Sequence, residues 1–238
     1  MTHRALIFQN VEGEGSGIIG DILDQRKWDR KTIHLYRGEA FPKNCQEYTL
    51  QVVMGGPMNV YEEDVYPFLA QETKIIRKAL EQDQPVIGFC LGAQLMAKAS
   101  GVMVSKGPKK EIGWYAVRLT DQGTKDPFLK SFPEEFFVFQ WHGDTFHLPD
   151  GAVRLISSKD YLNQAMRIGA KSYGFQFHFE ITKDMISEWL VAGQEEFKQM
   201  KDQNLPEKIL IDADTHIPQA HALAELFFNN YLGKIEIS

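Results

Sequence analysis

Cysteine is scarce in this chain: Cys45 and Cys90 are the only two among 238 residues. That count excludes a small disulfide-stapled scaffold. The opening run Met1–Phe8 lacks the long apolar stretch and small-residue cleavage site of a secretory signal. Both thiols are therefore expected to be free and the protein cytoplasmic. Positive charge is also in deficit: 26 Lys and Arg stand against 32 Asp and Glu, a net charge of −6. Such a chain is repelled by phosphate backbones and anionic lipid, which argues against nucleic acid and membrane surfaces as partners. No apolar run approaches the ~18 residues that span a bilayer. Internal repeats, low-complexity segments and linkers are missing too.

What is present is an alternation of short apolar runs and amphipathic stretches. Strands are predicted at Ala5–Phe8, Ile33–Tyr36, Gln51–Met54 and Pro85–Phe89, with helices at Ile18–Trp28, Tyr66–Gln82 and Leu91–Ala99. This alternation implies parallel strands with helices on both faces. The second half reads as strands with little helix between them: Val102–Val104, Trp114–Leu119, Phe136–Phe139, Val153–Ser157, Gln164–Ile168 and Tyr173–Phe177. That implies a mixed or antiparallel extension of the sheet. A helix is expected from Lys183 to about Lys201, and after a break at Asn204-Leu205-Pro206 another from Pro218 to Tyr231. One domain over residues 1–190, with a helical extension over 191–238 packed on it, accounts for the pattern.

The most informative stretch is Gly88-Phe89-Cys90-Leu91-Gly92, between an apolar strand and a helix. Gly-x-Cys-x-Gly there is the cysteine form of a nucleophile elbow. The turn lifts the thiol clear of the sheet and sets it at a helix N-terminus, which favours the thiolate. The amide of Leu91 can then donate to an oxyanion. A buried structural cysteine is the plainer alternative, but the strand, the helix and the paired glycines weigh against it. Cys45 has no such context.

A thiol that attacks an amide needs a base that later protonates the leaving amine. His178 ends the apolar run Tyr173–Phe177, and Glu180, two residues on, points to the same side of an extended chain. Glu180 would orient the imidazole; in isolation, such a pair is more often a surface ion pair. Gly55-Gly56-Pro57 is either a tight turn or a strand end that exposes the Gly56 amide as a second oxyanion donor. Trp141-His142-Gly143-Asp144-Thr145-Phe146-His147 offers metal-ligand types that could join His178 and Glu180, or a plain polar loop after the Phe136–Phe139 strand. The metal reading leaves Cys90 without a task. Gly15-Ser16-Gly17-Ile18-Ile19-Gly20 matches a dinucleotide fingerprint but does not come directly off the first strand. It reads as a mobile loop bordering the strand ends.

From about Ala5 to about Trp189 the chain resembles the class I glutamine amidotransferases, and within them stand-alone proteins similar to the amidotransferase half of GMP synthase. The segments that carry the resemblance are Met54–Met58, Gly88–Gln94, Glu111–Trp114, Gln140–Asp144 and Gln176–Glu180. The resemblance implies a flavodoxin-like α/β fold with a mixed, mostly parallel central sheet flanked by helices. It implies a catalytic triad of Cys90, His178 and Glu180, with oxyanion donors at Gly56 and Leu91. Gln94, Trp141, Gly143 and Asp144 would hold the amino-acid end of glutamine, so that segment binds substrate and not metal. No metal or organic cofactor is expected. The implied activity is hydrolysis of the γ-amide of glutamine or of a γ-glutamyl compound. The partner would be a separate synthetase subunit or a second copy of the chain. A γ-glutamyl peptidase acting alone is the alternative, and a non-catalytic glutamine-binding scaffold is the rival from another class. Phe179 stands where the family usually has proline, and this chain carries no Ser-Gly-Gly-x-Asp-Ser loop for ATP.

Overall fold

Short runs of β-branched and aromatic residues, each followed by an amphipathic stretch, fold into one sheet with helices on its two faces. The computed structural model describes residues 3–199 and 204–237. Nine strands pair among these residues: β1 (Arg4–Gln9), β2 (Asp29–His34), β3 (Leu50–Val53), β4 (Val86–Phe89), β5 (Val104–Leu119), β6 (Glu135–Phe146), β7 (Val153–Ser157), β8 (Ala165–Ile168) and β9 (Ser172–Phe175). The helices are α1 (Ile18–Gln25), α2 (Phe68–Glu81), α3 (Leu91–Ala99), α4 (Lys183–Ala192), α5 (Gln194–Gln199) and α6 (Leu205–Glu236).

The strand order is β2-β1-β3-β4-β9-β8-β7-β5-β6. The joins from β2 to β9 are parallel, and those from β9 to β6 are antiparallel. Alternation along β1 divides the core. Ala5 and Ile7 pack with α1 and α6 on one face, and Leu6 and Phe8 pack with α2 and α3 on the other. The parallel strands all end at one edge, where open α/β sheets place their sites.

Several element boundaries differ from the sequence expectation. The predicted strands Val102–Val104 and Trp114–Leu119 are one strand, β5, interrupted by an irregularity between Lys106 and Glu111. Gly107-Pro108 disguised it as a break. The polar run Trp141–Phe146, read as a loop, is the second half of β6, where it pairs with β5. Ile33–Tyr36 is shifted: β2 starts at Asp29 and ends at His34. The final helix does not start at Pro218 but at Leu205, and Pro218 lies inside it. A proline there removes one helical hydrogen bond. Ile209, Ala213, Ala220, Leu223, Ala224, Phe227 and Tyr231 are buried at helical spacing on both sides of it, and that packing carries the helix through. The helix predicted over Lys183–Lys201 is divided into α4 and α5 at Gly193; residues 200 and 201 lie outside the described residues.

One buried acid makes stability depend on pH. Glu72 on α2 is fully buried, and neither carboxyl oxygen finds hydrogen-bond geometry. Burial pushes its carboxyl from 4.5 up to about 8, with Asn10 beside it pulling the other way. Its contribution to stability is complete below 4.5 and is lost as pH rises through about 8. Glu72→Gln keeps the shape without the titration. Between about pH 5 and about pH 9 its urea midpoint should fall less than that of the wild-type chain. Parallel curves for the two proteins would refute the assignment.

Candidate active site

The site is built where β4 runs into α3. Cys90 takes φ 47° and ψ −106°, a conformation rare for a side-chain-bearing residue, while its amide still donates to the Phe175 carbonyl at 2.8 Å. The turn holds because the first turn of α3 lies directly on the sheet. A Cβ on Gly88 would meet the Gly92 carbonyl carbon at 2.6 Å, and one on Gly92 would overlap the Val53 carbonyl. Those two glycines are required by close approach. Cys90 is the N-cap of α3, so the Leu91 amide belongs to the first turn, which has no intrahelical acceptor.

His178 and Glu180 follow β9 with the strand's alternation intact. Gln176, His178 and Glu180 turn to the site, while Phe175, Phe177 and Phe179 enter the core. The His178 amide donates to the Phe139 carbonyl at 2.8 Å. Its Nδ1 lies 2.7 Å from Glu180 Oε1, and its ring borders the same cavity as Cys90, a Cβ built on Gly55 lying 3.1 Å from His178 Cε1 and 3.6 Å from Cys90 Cβ. Burial alone would pull the imidazole down. The Glu180 carboxylate, its hydrogen bond to the ring and the neighbouring Cys90 outweigh it and hold His178 well above its ordinary value. Trp189 on α4 closes one side, edge to face with the imidazole at 4.9 Å.

Phe179 replaces the stiffness of a proline with packing. It is 1% exposed, and its ring centroid lies 4.9 Å from that of Phe175 and 5.7 Å from that of Phe89. Phe227 and Phe228 of α6 cover it from below.

Cys90 and His178 face a cavity of about 750 Å³ that Gly56, Gln94, Trp141, Gly143 and Asp144 also line. Of the residues singled out in the sequence, Glu180 and Leu91 stand behind its wall. Gln94 Nε2 donates to the Asp144 carbonyl at 3.3 Å and to Gln176 Oε1 at 3.1 Å. Gln176 Nε2 in turn lies 3.6 Å from Cys90 Sγ, where it can donate to a thiolate. The Trp141 carbonyl faces Sγ at 3.7 Å, while its indole packs on Trp189 and Phe197. His142 also borders the cavity, and its ring is held in a buried network: Nδ1 is 3.0 Å from the Asp144 carbonyl, and Nε2 is 3.3 Å from Glu111. Among the described residues no three His, Cys, Asp or Glu side chains converge to hold a metal ion.

Sequence reasoning missed Gln176, Glu111 and Glu14 as contributors. The first two lay inside quoted motifs without a role. Glu14 immediately precedes the glycine-rich stretch and lines the cavity. That stretch is stitched down: the Gly13 carbonyl accepts from Trp189 Nε1 at 3.1 Å, and the Ile18 amide donates to the Glu180 carbonyl at 3.1 Å.

Removing the Glu180 charge has a defined consequence. A histidine raised by its partner contributes stability that is complete below its ordinary value of 6.5 and is lost as pH rises through the higher native value. Glu180→Gln should bring His178 down and lower turnover about 10³-fold. The pH dependence of Cys90 alkylation by iodoacetamide checks this; an unchanged profile would contradict it.

The family model for glutamine amidotransferase class-I matches residues 29–189. The glutamine amidotransferase-like protein YfeJ of Salmonella typhimurium is 36% identical over 186 residues, covering 77% of this chain and 78% of that protein. A glutamine-hydrolysing GMP synthase of Thermosipho africanus is 33% identical over 62% of this chain, but only 28% of the synthase is spanned. A glutamine amidotransferase structure from Thermotoga maritima superposes with TM-score 0.87 at 35% identity, covering 97% of this chain and 99% of that one. One from Methylobacillus flagellatus gives 0.88 at 31% identity, covering 98% and 95%. With the family matched across most of its length, and two relatives of like size folded the same way, this chain belongs to the class I glutamine amidotransferases.

Proposed function

We propose that the protein hydrolyses the γ-amide of glutamine or of a γ-glutamyl compound through a cysteinyl thioester. The observation that carries this reading is the line from Cys90 through His178 to Glu180 at the wall of the cavity. His178 takes the thiol proton, and Sγ attacks the amide carbon. The amides of Gly56 and Leu91 receive the developing oxyanion. The tetrahedral adduct collapses as the imidazolium gives its proton to the leaving nitrogen, which departs as ammonia or an amine. Water, deprotonated by His178, then attacks the thioester and releases the γ-carboxylate and the thiol. Gln94, Trp141, Gly143 and Asp144 bind the amino-acid end.

A separate synthetase as ammonia acceptor is the reading that the likeness to part of GMP synthase supports. A chain that cleaves γ-glutamyl conjugates by itself is supported by the cavity, whose 750 Å³ exceeds what glutamine alone fills. Residues 1–190 would form the catalytic unit, and the helices beyond them would brace it and offer a contact face to a second copy. Free Cys45 and Cys90 suit a reducing, cytoplasmic setting. No helix among the described residues is long and apolar enough to cross a membrane.

The test is intact-protein mass spectrometry after incubation with diazo-oxonorleucine, with Cys90→Ser as control. One adduct mapped to Cys90 is expected. A wild-type chain that stays unmodified and also binds no glutamine would sink the proposal.

A further inference from the structure

Glu14 occupies a place that hydrolysis itself does not need. A Cβ placed on Gly55 would lie 2.5 Å from Glu14 Oε2, 3.1 Å from His178 Cε1 and 3.6 Å from Cys90 Cβ. The carboxylate therefore flanks the imidazole edge next to the nucleophile. His178 Nδ1 is committed to Glu180, so the other ring nitrogen delivers the proton to the leaving group. The leaving nitrogen and its first substituent must then pass beside Glu14.

Three further observations make this carboxylate available to a ligand. It has no hydrogen bond or ion pair within the described residues, unlike Glu12, paired with Arg37, and Glu196, paired with Lys110. Its backbone cannot swing away, because Gly13 and Ile18 on either side are tied to Trp189 and to the Glu180 carbonyl. Lys106, a cavity lysine without an ion pair among the described residues, stands across the β5–β6 ladder from Asp144 and is not among the charges that act on Glu14. Glu14 thus sets a carboxylate with no Lys or Arg partner among the described residues beside the imidazole that the amine leaves past. Loss of water raises the Glu14 carboxyl to about 7, with His178 pulling it down and Glu180 pushing it up.

Resting on the hydrolytic reading above, we propose that Glu14 determines leaving-group specificity: it accepts γ-glutamyl amides of ammonia or of a cationic amine, and rejects γ-glutamyl peptides. A peptide's leaving amino acid carries a carboxylate one carbon from the scissile nitrogen, which would face the Glu14 carboxylate at short range. A cationic amine meets the opposite charge.

Binding tests this without depending on turnover. In the Cys90→Ala protein, calorimetry at about pH 8.5, where Glu14 is ionised, compares glutamine, γ-glutamylglycine and the γ-glutamyl amide of ethylenediamine. The diamine conjugate should bind at least roughly tenfold tighter than γ-glutamylglycine, and Glu14→Gln in the same background should shrink that ratio to about threefold or less. Equal binding of the two conjugates, or a ratio that Glu14→Gln leaves unchanged, overturns the role of Glu14 while the hydrolytic reading stands. Failure of all three compounds to bind overturns both.

Discussion

Cys90→Gly is expected to be inactive and yet more stable than Cys90→Ala. On the proposed mechanism both substitutions remove the nucleophile, and loss of a covalent nucleophile should lower turnover by at least about 10³-fold. They differ in the backbone they ask for. Cys90 sits at φ 47° and ψ −106°, a region that glycine enters freely and alanine enters under strain. Elsewhere in a strand or helix, alanine beats glycine because it loses less chain entropy on folding. Here the order should invert by roughly 1–2 kcal/mol in favour of glycine, after discounting that entropy. In a chain of this length that amounts to about 2–8 °C in melting temperature. Calorimetric melts of the two variants decide it. An alanine variant as stable as the glycine one would mean that the elbow stores no strain. The expected inversion would mean that the chain accepts a cost in stability to hold a thiol clear of its sheet.

Gly92→Ala should be among the most damaging single-methyl additions near the site. The added carbon would overlap the Val53 carbonyl oxygen, with the Val53 carbonyl carbon at 2.8 Å and its Cβ at 3.1 Å. Two of these three atoms are backbone in a central strand, fully buried and hydrogen-bonded on both sides. They cannot yield by a rotamer change, so α3 must lift from β3. Overpacking of this kind costs about 3 kcal/mol or more. Activity should fall as well, since β3 leads directly into Gly55-Gly56 and α3 carries Cys90 at its N-cap. Gly15→Ala is the control: its added methyl meets nothing within 4 Å, and the change should stay within about 0.5 kcal/mol. Urea melts compare the pair, and a Gly92→Ala protein as stable as Gly15→Ala would refute the close packing.

These two positions also show what a sequence discloses. The elbow was legible because its determinants are local: an apolar strand, two glycines and a helix within a dozen residues. His178 and Glu180 were legible because a spacing of two fixes the side they share. The parallel half of the sheet announced itself through strand–helix alternation. The second half of β6 did not, because its buried side there, Gln140, His142 and Asp144, is polar while Trp141 and Gly143 are on the less buried side. An amphipathic pattern never arises there. The span of α6 was hidden by Pro218, whose local preference is overridden by contacts far away in sequence. Glu14 was hidden among glycines that imitate a nucleotide motif, and only the fold brings it to Gly55. The role of Phe179 could not be read either, because its partners Phe227 and Phe228 come from the last helix.

That last arrangement ties chemistry to integrity. His178 and Glu180 are the outward residues of a segment whose inward residues, Phe177 and Phe179, are part of the largest aromatic cluster, which α6 completes. On the proposed mechanism a loosened interior therefore disarms the base at the same moment, and no half-melted form keeps an activated thiol. On that mechanism this is a safeguard: damage that loosens the core also silences Cys90 before it can become an indiscriminate alkylation target. Heat inactivation and loss of near-ultraviolet circular dichroism should accordingly trace a single curve.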